Sequence, residues 1–157
     1  MQKITPSLWF DTNAEDAANF YVSLFPDAKI TNINHFGEGG PLPKGTVLTV
    51  TFTLFGQEFV ALNGGPYFKF TPALSFVINC ETQQEIDHYW EQLSAGGQEQ
   101  QCGWLTDKYG LSWQIVPVVL RTLLSDTNAA KAQNVMTAMM KMIKLDIKTL
   151  EDAFNKS

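Results

Sequence analysis

The 157-residue sequence predicts an α+β chain in which one strand–helix–strands module occurs twice and a helical tail follows. Three observations predict this. T-x-x-E boxes at Thr12/Glu15 and Thr82/Glu85 each separate a β-prone run from an apolar stripe at helical spacing. An aromatic residue, Phe20 or Trp90, follows each box at the same offset, so three matched pairs lie 70 positions apart. Further β-prone runs, punctuated by Gly and Pro, follow each helical stripe, and a repeated unit of this kind means paired or stacked modules.

In the first module (about residues 3–66), residues 5–10 read as a strand and Asp11-Thr12-Asn13 as its turn and the next helix's cap. Ala17, Phe20, Tyr21, Leu24 and Phe25 give that helix one apolar face, and Pro26-Asp27 ends it. Strands are expected at 28–36, 46–55 and 58–63, with a Gly/Pro-rich loop at 37–45 and a tight turn at Gly56-Gln57. Gly64-Gly65-Pro66 breaks the sheet.

The second module (about 72–119) opens with a strand at 73–80. Its helix carries Ile86, Tyr89, Trp90 and Leu93 and closes at Gly96-Gly97 in a left-handed cap. Strands at 98–104 and 111–116 flank a turn at Asp107-Lys108-Tyr109-Gly110, where Asp107 and Lys108 are expected to be solvated. In the tail (about 120–157), residues 128–143 predict a helix with Val135, Met136, Met139, Met140 and Ile143 on one side, packing on the domain or a partner subunit. Asp146 is expected to cap a last helix bearing Ile147, Leu150 and Phe154. The whole, 1–157, is read as a single domain.

A net charge of −5 argues against nucleic-acid and anionic-membrane partners, which are held by a surplus of Lys and Arg. Cys80 and Cys102 are too few for a disulfide framework and read as reduced thiols. The first residues carry no secretory apolar stretch, and no run approaches the roughly 20 apolar residues of a membrane span. A cytoplasmic protein is expected.

Several motifs are more specific than the periodicity: Phe20-Tyr21 through Phe25-Pro26-Asp27, Leu62-Asn63-Gly64-Gly65-Pro66, Phe68-Lys69-Phe70, Cys102-Gly103-Trp104, and the run from Asp107 through Pro117 containing Ser112-Trp113-Gln114-Ile115. Together with the paired βαβββ plan, they resemble the vicinal oxygen chelate superfamily, which includes glyoxalase I, the bleomycin-resistance proteins and extradiol dioxygenases. Within it the chain is similar to the PhnB-like group, also called the 3-demethylubiquinone-9 3-methyltransferase domain. The resemblance covers nearly the whole chain, including the tail at 141–152. It implies a glyoxalase/bleomycin-resistance-like fold, with curved mixed sheets enclosing a cleft, and a homodimer. In metal-dependent members of the superfamily, four ligands point into that cleft from four strands.

Strand alternation selects the residues that reach the cleft. Leu8, Phe10, Leu74, Phe76 and Ile78 suit the helix-facing core, which leaves Thr5, Ser7, Trp9, Ala73, Ser75 and Val77 on the other side, with Ser112, Gln114 and Val116 from the last strand. The resemblance places the four ligand positions near Thr5, near Asn63, at Ala73 and at Gln114. Ala73 has no donor atom, and amides are poor ligands where divalent metals want His and carboxylate. The two histidines, His35 and His88, read as a strand-end and a solvated helix residue. No cofactor and no metal site are predicted.

The expectation is a small-molecule-binding protein, or an enzyme of unassigned reaction. Trp9, Phe59, Phe68, Phe70 and Trp104 would supply the aromatic lining. Ser75, Ser112, Asn63 and Gln114 would orient the ligand, and Lys69 would meet an anionic group at the mouth. The alternatives are a metal-dependent glyoxalase- or dioxygenase-like enzyme with an unusual divalent-metal ligand set, and a drug-sequestering resistance protein. Methyltransferase chemistry is disfavoured, because Gly37-Glu38-Gly39-Gly40 does not stand in the strand-to-helix turn where nucleotide-like cofactors bind. Cys102 reads as a structural thiol, with no His placed to activate it.

Overall fold

Alternating burial along two central strands shapes the first of two units, residues 1–69, in the computed structural model, which describes residues 2–156. Five elements occur in order: β1 Ser7–Phe10, α1 Ala14–Leu24, β2 Lys29–His35, β3 Val47–Leu54 and β4 Gln57–Asn63. The sheet order is β1-β4-β3-β2, with β1 parallel to β4 and the other pairs antiparallel. Leu8, Phe10, Val50, Phe52, Leu54, Phe59 and Ala61 are buried beside Ala14, Ala17, Ala18, Tyr21 and Leu24 of α1. Each large side chain buried there stabilises the fold by about 1.5–3 kcal/mol. Ser7, Trp9, Thr49, Thr51, Thr53, Val60 and Leu62 occupy the other face, which α1 does not cover. The β3–β4 hairpin turns through Phe55 (φ 50°) and Gly56 (φ 76°), both left-handed, as a two-residue hairpin requires.

Residues 70–157 form the second unit. It contains β5 Ser75–Cys80, α2 Gln83–Ser94, β6 Gln98–Glu99, β7 Trp104–Thr106, β8 Ser112–Pro117, α3 Val118–Leu124, α4 Ala129–Met139 and α5 Ile147–Phe154. The sheet order is β5-β8-β7-β6, the same plan as in the first unit. Ile78, Cys80, Leu105, Trp113 and Ile115 are buried with Ile86, Tyr89, Trp90 and Leu93 of α2. The tail has its own small core of Leu120, Leu123, Val135, Leu145 and Leu150, with Val116, Met139, Met142 and Phe154 packed against it.

The duplicated α+β plan agrees with the sequence reading, but its spacing does not. Helix α1 starts after Asn13 and α2 after Thr82, an offset of 69. The buried aromatics then pair as Tyr21 with Trp90, whereas Phe20 is only half-buried. The second T-x-x-E box forms, since Glu85 N–H donates to Thr82 Oγ1 at 3.2 Å. The first does not, because α1 has no side-chain cap of its own. Instead Ala14 N–H donates to Asn63 Oδ1 at 2.8 Å, so a distant buried amide takes the helix start.

Other expectations also change. The strand expected at 98–104 is broken at Cys102 (φ 60°) and Gly103 (φ 82°) into β6 and β7. Helix α3, which the sequence reading does not single out, opens the helical tail. Asp107 is not solvated: it is buried, and its carboxylate accepts from Tyr109 N–H (2.8 Å), Leu111 N–H (3.1 Å) and Trp113 Nε1 (2.9 Å). The tail stripe splits, with Val135 and Met139 facing the tail core and Met136, Met140 and Ile143 exposed. Leu74, expected in the core, precedes β5 and is exposed.

Candidate functional site

Strand register brings the expected polar residues of the second unit onto one face. In the parallel β5–β8 pair, Ser75 lies opposite Ser112 and Val77 opposite Gln114. In the β7–β8 pair, Trp104 lies opposite Gln114 and Thr106 opposite Ser112. Residues paired across a ladder share a face, so these six side chains stand on the face away from α2. Gln114 Nε2 donates to Ser75 Oγ at 2.9 Å, tying the two strands together through side chains. Trp104 is half-buried and Val77 is exposed beside them. Ser112 is buried, so its hydroxyl is not presented to solvent.

A second aromatic group stands in the first unit. Trp9 Nε1 donates to the Gly65 carbonyl at 2.9 Å, and Phe68 meets the Trp9 ring edge-on, with centroids 5.0 Å apart. A Cβ on Gly64 would come within 2.3 Å of the Trp9 ring, which gives the Gly64-Gly65 pair its physical reason. Phe68 and Lys69 are exposed, and Phe70 is half-buried. Phe59 is a correction: it is a core residue stacked on Phe52 at 5.5 Å, not a pocket aromatic.

Asn63 is a second correction. Its side chain lies on the helix side of the first sheet and is buried. Oδ1 accepts from Ala14 N–H, and Nδ2 donates to the Val47 carbonyl at 3.0 Å. This residue caps α1 and lines a groove of about 620 Å³ with Thr12, Glu15, Asp16, His35 and Val47. His88 is exposed on α2, its ring against Tyr89 at 5.2 Å.

The residues at the superfamily's four metal positions do not fit a divalent ion. Ala73 offers no donor, both ends of the Asn63 amide are engaged on the helix side, and Gln114 supplies a neutral amide bonded to Ser75. Thr5 Oγ1 donates to Glu58 Oε2 at 3.5 Å. Among the described residues, no three His, Cys, Asp or Glu side chains come together as a metal would need.

The thiols differ in setting. Cys80 is buried beneath α2, and burial, with the Glu85 carboxylate as the lesser cause, pushes its pKa up to about 12. It is therefore unsuited to nucleophilic work. Cys102 is half-buried with its Sγ 3.8 Å from Met140 Sδ.

Sequence reading missed a cluster around the tail. Gln83, at the start of α2, donates from Nε2 to the Leu145 carbonyl (3.1 Å) and accepts at Oε1 from Ile147 N–H (2.9 Å). Lys144 pairs with Asp87 at 2.8 Å, and that contact holds the Asp87 carboxyl below its ordinary range. No local pattern signals these contacts, because they join residues about 60 positions apart.

Residues 2–116 match the model of the family described as 3-demethylubiquinone-9 3-methyltransferase. No curated protein matches the chain. The chain is 43% identical to a PhnB protein from Bacillus cereus, the match covering 74% of this chain and 100% of that one at a TM-score of 0.69. Protein PA1353 from Pseudomonas aeruginosa matches at 20% identity, covering 74% and 98%, with a TM-score of 0.61. The fosfomycin resistance protein FosX from Listeria monocytogenes matches at 15% identity, covering 80% and 98%, with a TM-score of 0.56. The last two likenesses speak to fold alone, and the fold is the glyoxalase/bleomycin-resistance-like one. No helix among the described residues is long and apolar enough to cross a membrane.

Proposed function

For a chain that belongs to the 3-demethylubiquinone-9 3-methyltransferase family, with its two βαβββ units, we propose binding of a small organic molecule on the face of the second sheet away from α2. The observation that supports this reading is the Ser75–Gln114 pair, a hydroxyl bonded to an amide and set between Trp104 and exposed Val77. A polar pair on a rigid two-strand ladder, bordered by aromatic and apolar surface, is the usual composition of an organic-ligand site. The ladder fixes the amide, so little orienting entropy is lost on binding. Trp9 and Phe68 form a separate aromatic surface on the first unit, where exposed Lys69, next to Phe68 in sequence, would favour an anionic group. The donor set favours binding by hydrogen bonds and stacking over divalent-metal chemistry, because the neutral side chains at the family's ligand positions do not suit a metal.

Native mass spectrometry of the purified protein tests this. The expected result is a retained organic molecule whose occupancy falls about tenfold in Gln114→Leu and in Trp104→Ala, as loss of one good polar or stacking contact implies. A ligand retained equally by both variants would reject this face as the site.

A further inference from the structure

The tail lies beyond the family match, although the resemblance is expected from the sequence to reach residues 141–152. The family match stops at residue 116, and the 43%-identical Bacillus cereus protein uses its whole length on 74% of this chain. The tail carries its own core of five buried side chains, so most of its packing is internal. A short strap at residues 142–147 makes its polar attachments to the sheet unit.

The strap meets that unit on two sides. On one side, the Gln83 amide bonds both the Leu145 carbonyl and the Ile147 N–H, as a neighbouring strand would. On the other side, Cys102 N–H and Gly103 N–H donate to the carbonyls of Met142 (2.9 Å) and Ile143 (2.8 Å). These two amides belong to the left-handed turn that breaks the strand between β6 and β7. Gly103 is needed there: it has φ 82°, and a Cβ would come within 2.9 Å of buried Leu145. The Gly103 carbonyl in turn accepts from Ile115 N–H at 2.8 Å. The residue after this turn is Trp104, opposite Gln114 on the face away from α2.

We infer that residues 142–147 are a latch, anchored by Gln83, that holds the Cys102-Gly103 turn and through it positions Trp104. With the latch seated, both turn amides are satisfied by tail carbonyls, and Leu145 fills the space that glycine leaves. With it released, two left-handed residues lose the bonds that hold them, and the start of β7 loosens. Gln83, Leu145 and Gly103 are positioning residues here, since they lie beside the face rather than on it. That Trp104 meets ligand rests on the function proposed above, but the latch does not.

Gln83→Ala removes both strap bonds and leaves the Thr82–Glu85 cap intact. Amide exchange on the full, ligand-free chain should quicken about tenfold at Cys102, Gly103 and Ile147, and leave Ile78 in β5 and Leu93 in α2 unchanged. Cys102 should alkylate about tenfold faster at neutral pH as its turn opens, while Cys80 stays protected. Gln83→Glu keeps an acceptor for Ile147 N–H but sets a carboxylate against the Leu145 carbonyl and the Asp87 carboxylate, to which Gln83 Nε2 donates, and should exchange at Cys102 and Gly103 no more slowly than Gln83→Ala. Wild-type exchange at Cys102 and Gly103 in Gln83→Ala would overturn the latch. So would a uniform rise across the sheet, which would make the tail an inseparable part of the core. Neither readout uses a ligand, so failure of the latch and failure of the proposed ligand face are told apart.

Discussion

At the start of α1, Ala14 N–H is satisfied by Asn63, which comes from β4, 49 residues away. At the start of α2, Glu85 N–H is satisfied by Thr82, three residues back. The two modules share one strand order and one helix position, yet close the helix start by opposite means, one tertiary and one local. In the first, a buried side chain joins the sheet end, the β3 start and the helix. In the second, α2 caps itself, and its first residue, Gln83, is left to hold the tail. Duplicated modules can therefore keep a fold while reassigning individual bonds. Here the second copy uses that freedom to take on an extra element.

The largest expected effect belongs to the second module's hairpin, whose turn depends on one carboxylate where the first needs only Phe55-Gly56. Asp107→Ala strands three donors, two of them fully buried, and should destabilise by about 4 kcal/mol in urea unfolding. Asn63→Ala orphans Ala14 N–H and the Val47 carbonyl together and should cost about 3 kcal/mol. A loss below about 1 kcal/mol there would mean that water or Asn13 replaces the bond, and the contrast between the helix starts would collapse. Thr82→Ala should cost about 1 kcal/mol, whereas Thr12→Ala, at the box that does not form, should stay within about 0.5 kcal/mol. Equal losses at the two threonines would contradict the difference drawn here.

The smallest effect is one of pH. Asp87, through its bond to Lys144, and Asp146, through the Thr149 N–H it accepts at the start of α5, both titrate below the ordinary 3.8. A carboxyl depressed in the folded state contributes stability that is present above its unfolded value and lost as pH falls through the folded one. Attachment of the tail should thus be constant from neutral pH down to 3.8 and weaken below it. Unfolding midpoints measured down this range should converge with those of Lys144→Ala once Asp87 is protonated.

What the sequence made legible was local or periodic. The alternation in β3 and β4, the stripe of α2, the Thr82 box and the Asp146 cap each depend on residues a few positions apart. The failures are contacts between distant residues. Asn63 could not be assigned to the helix side, because a one-residue uncertainty in register moves a strand residue to the opposite face. The Thr12 box looked as good as the Thr82 box until a distant amide displaced it. Asp107 read as a solvated turn residue because its third donor, Trp113 Nε1, reaches it across the hairpin. For the candidate site, alternation put Ser75 and Gln114 on one face, where the β5–β8 register has them; the β7–β8 register then adds Trp104 opposite Gln114. It could not foresee that Ser112, on the same face, is buried.

The central claim is that Gln114 meets an organic ligand rather than a metal, and its side-chain amide signal in proton–nitrogen spectra tests this directly. Titrated with a set of small aromatic acids and amides, that signal should shift together with the Trp104 indole signal. It should not broaden selectively when Mn(II) is added at equal concentration. Selective broadening of the Gln114 amide by Mn(II), with no shift from any organic molecule, would contradict the account.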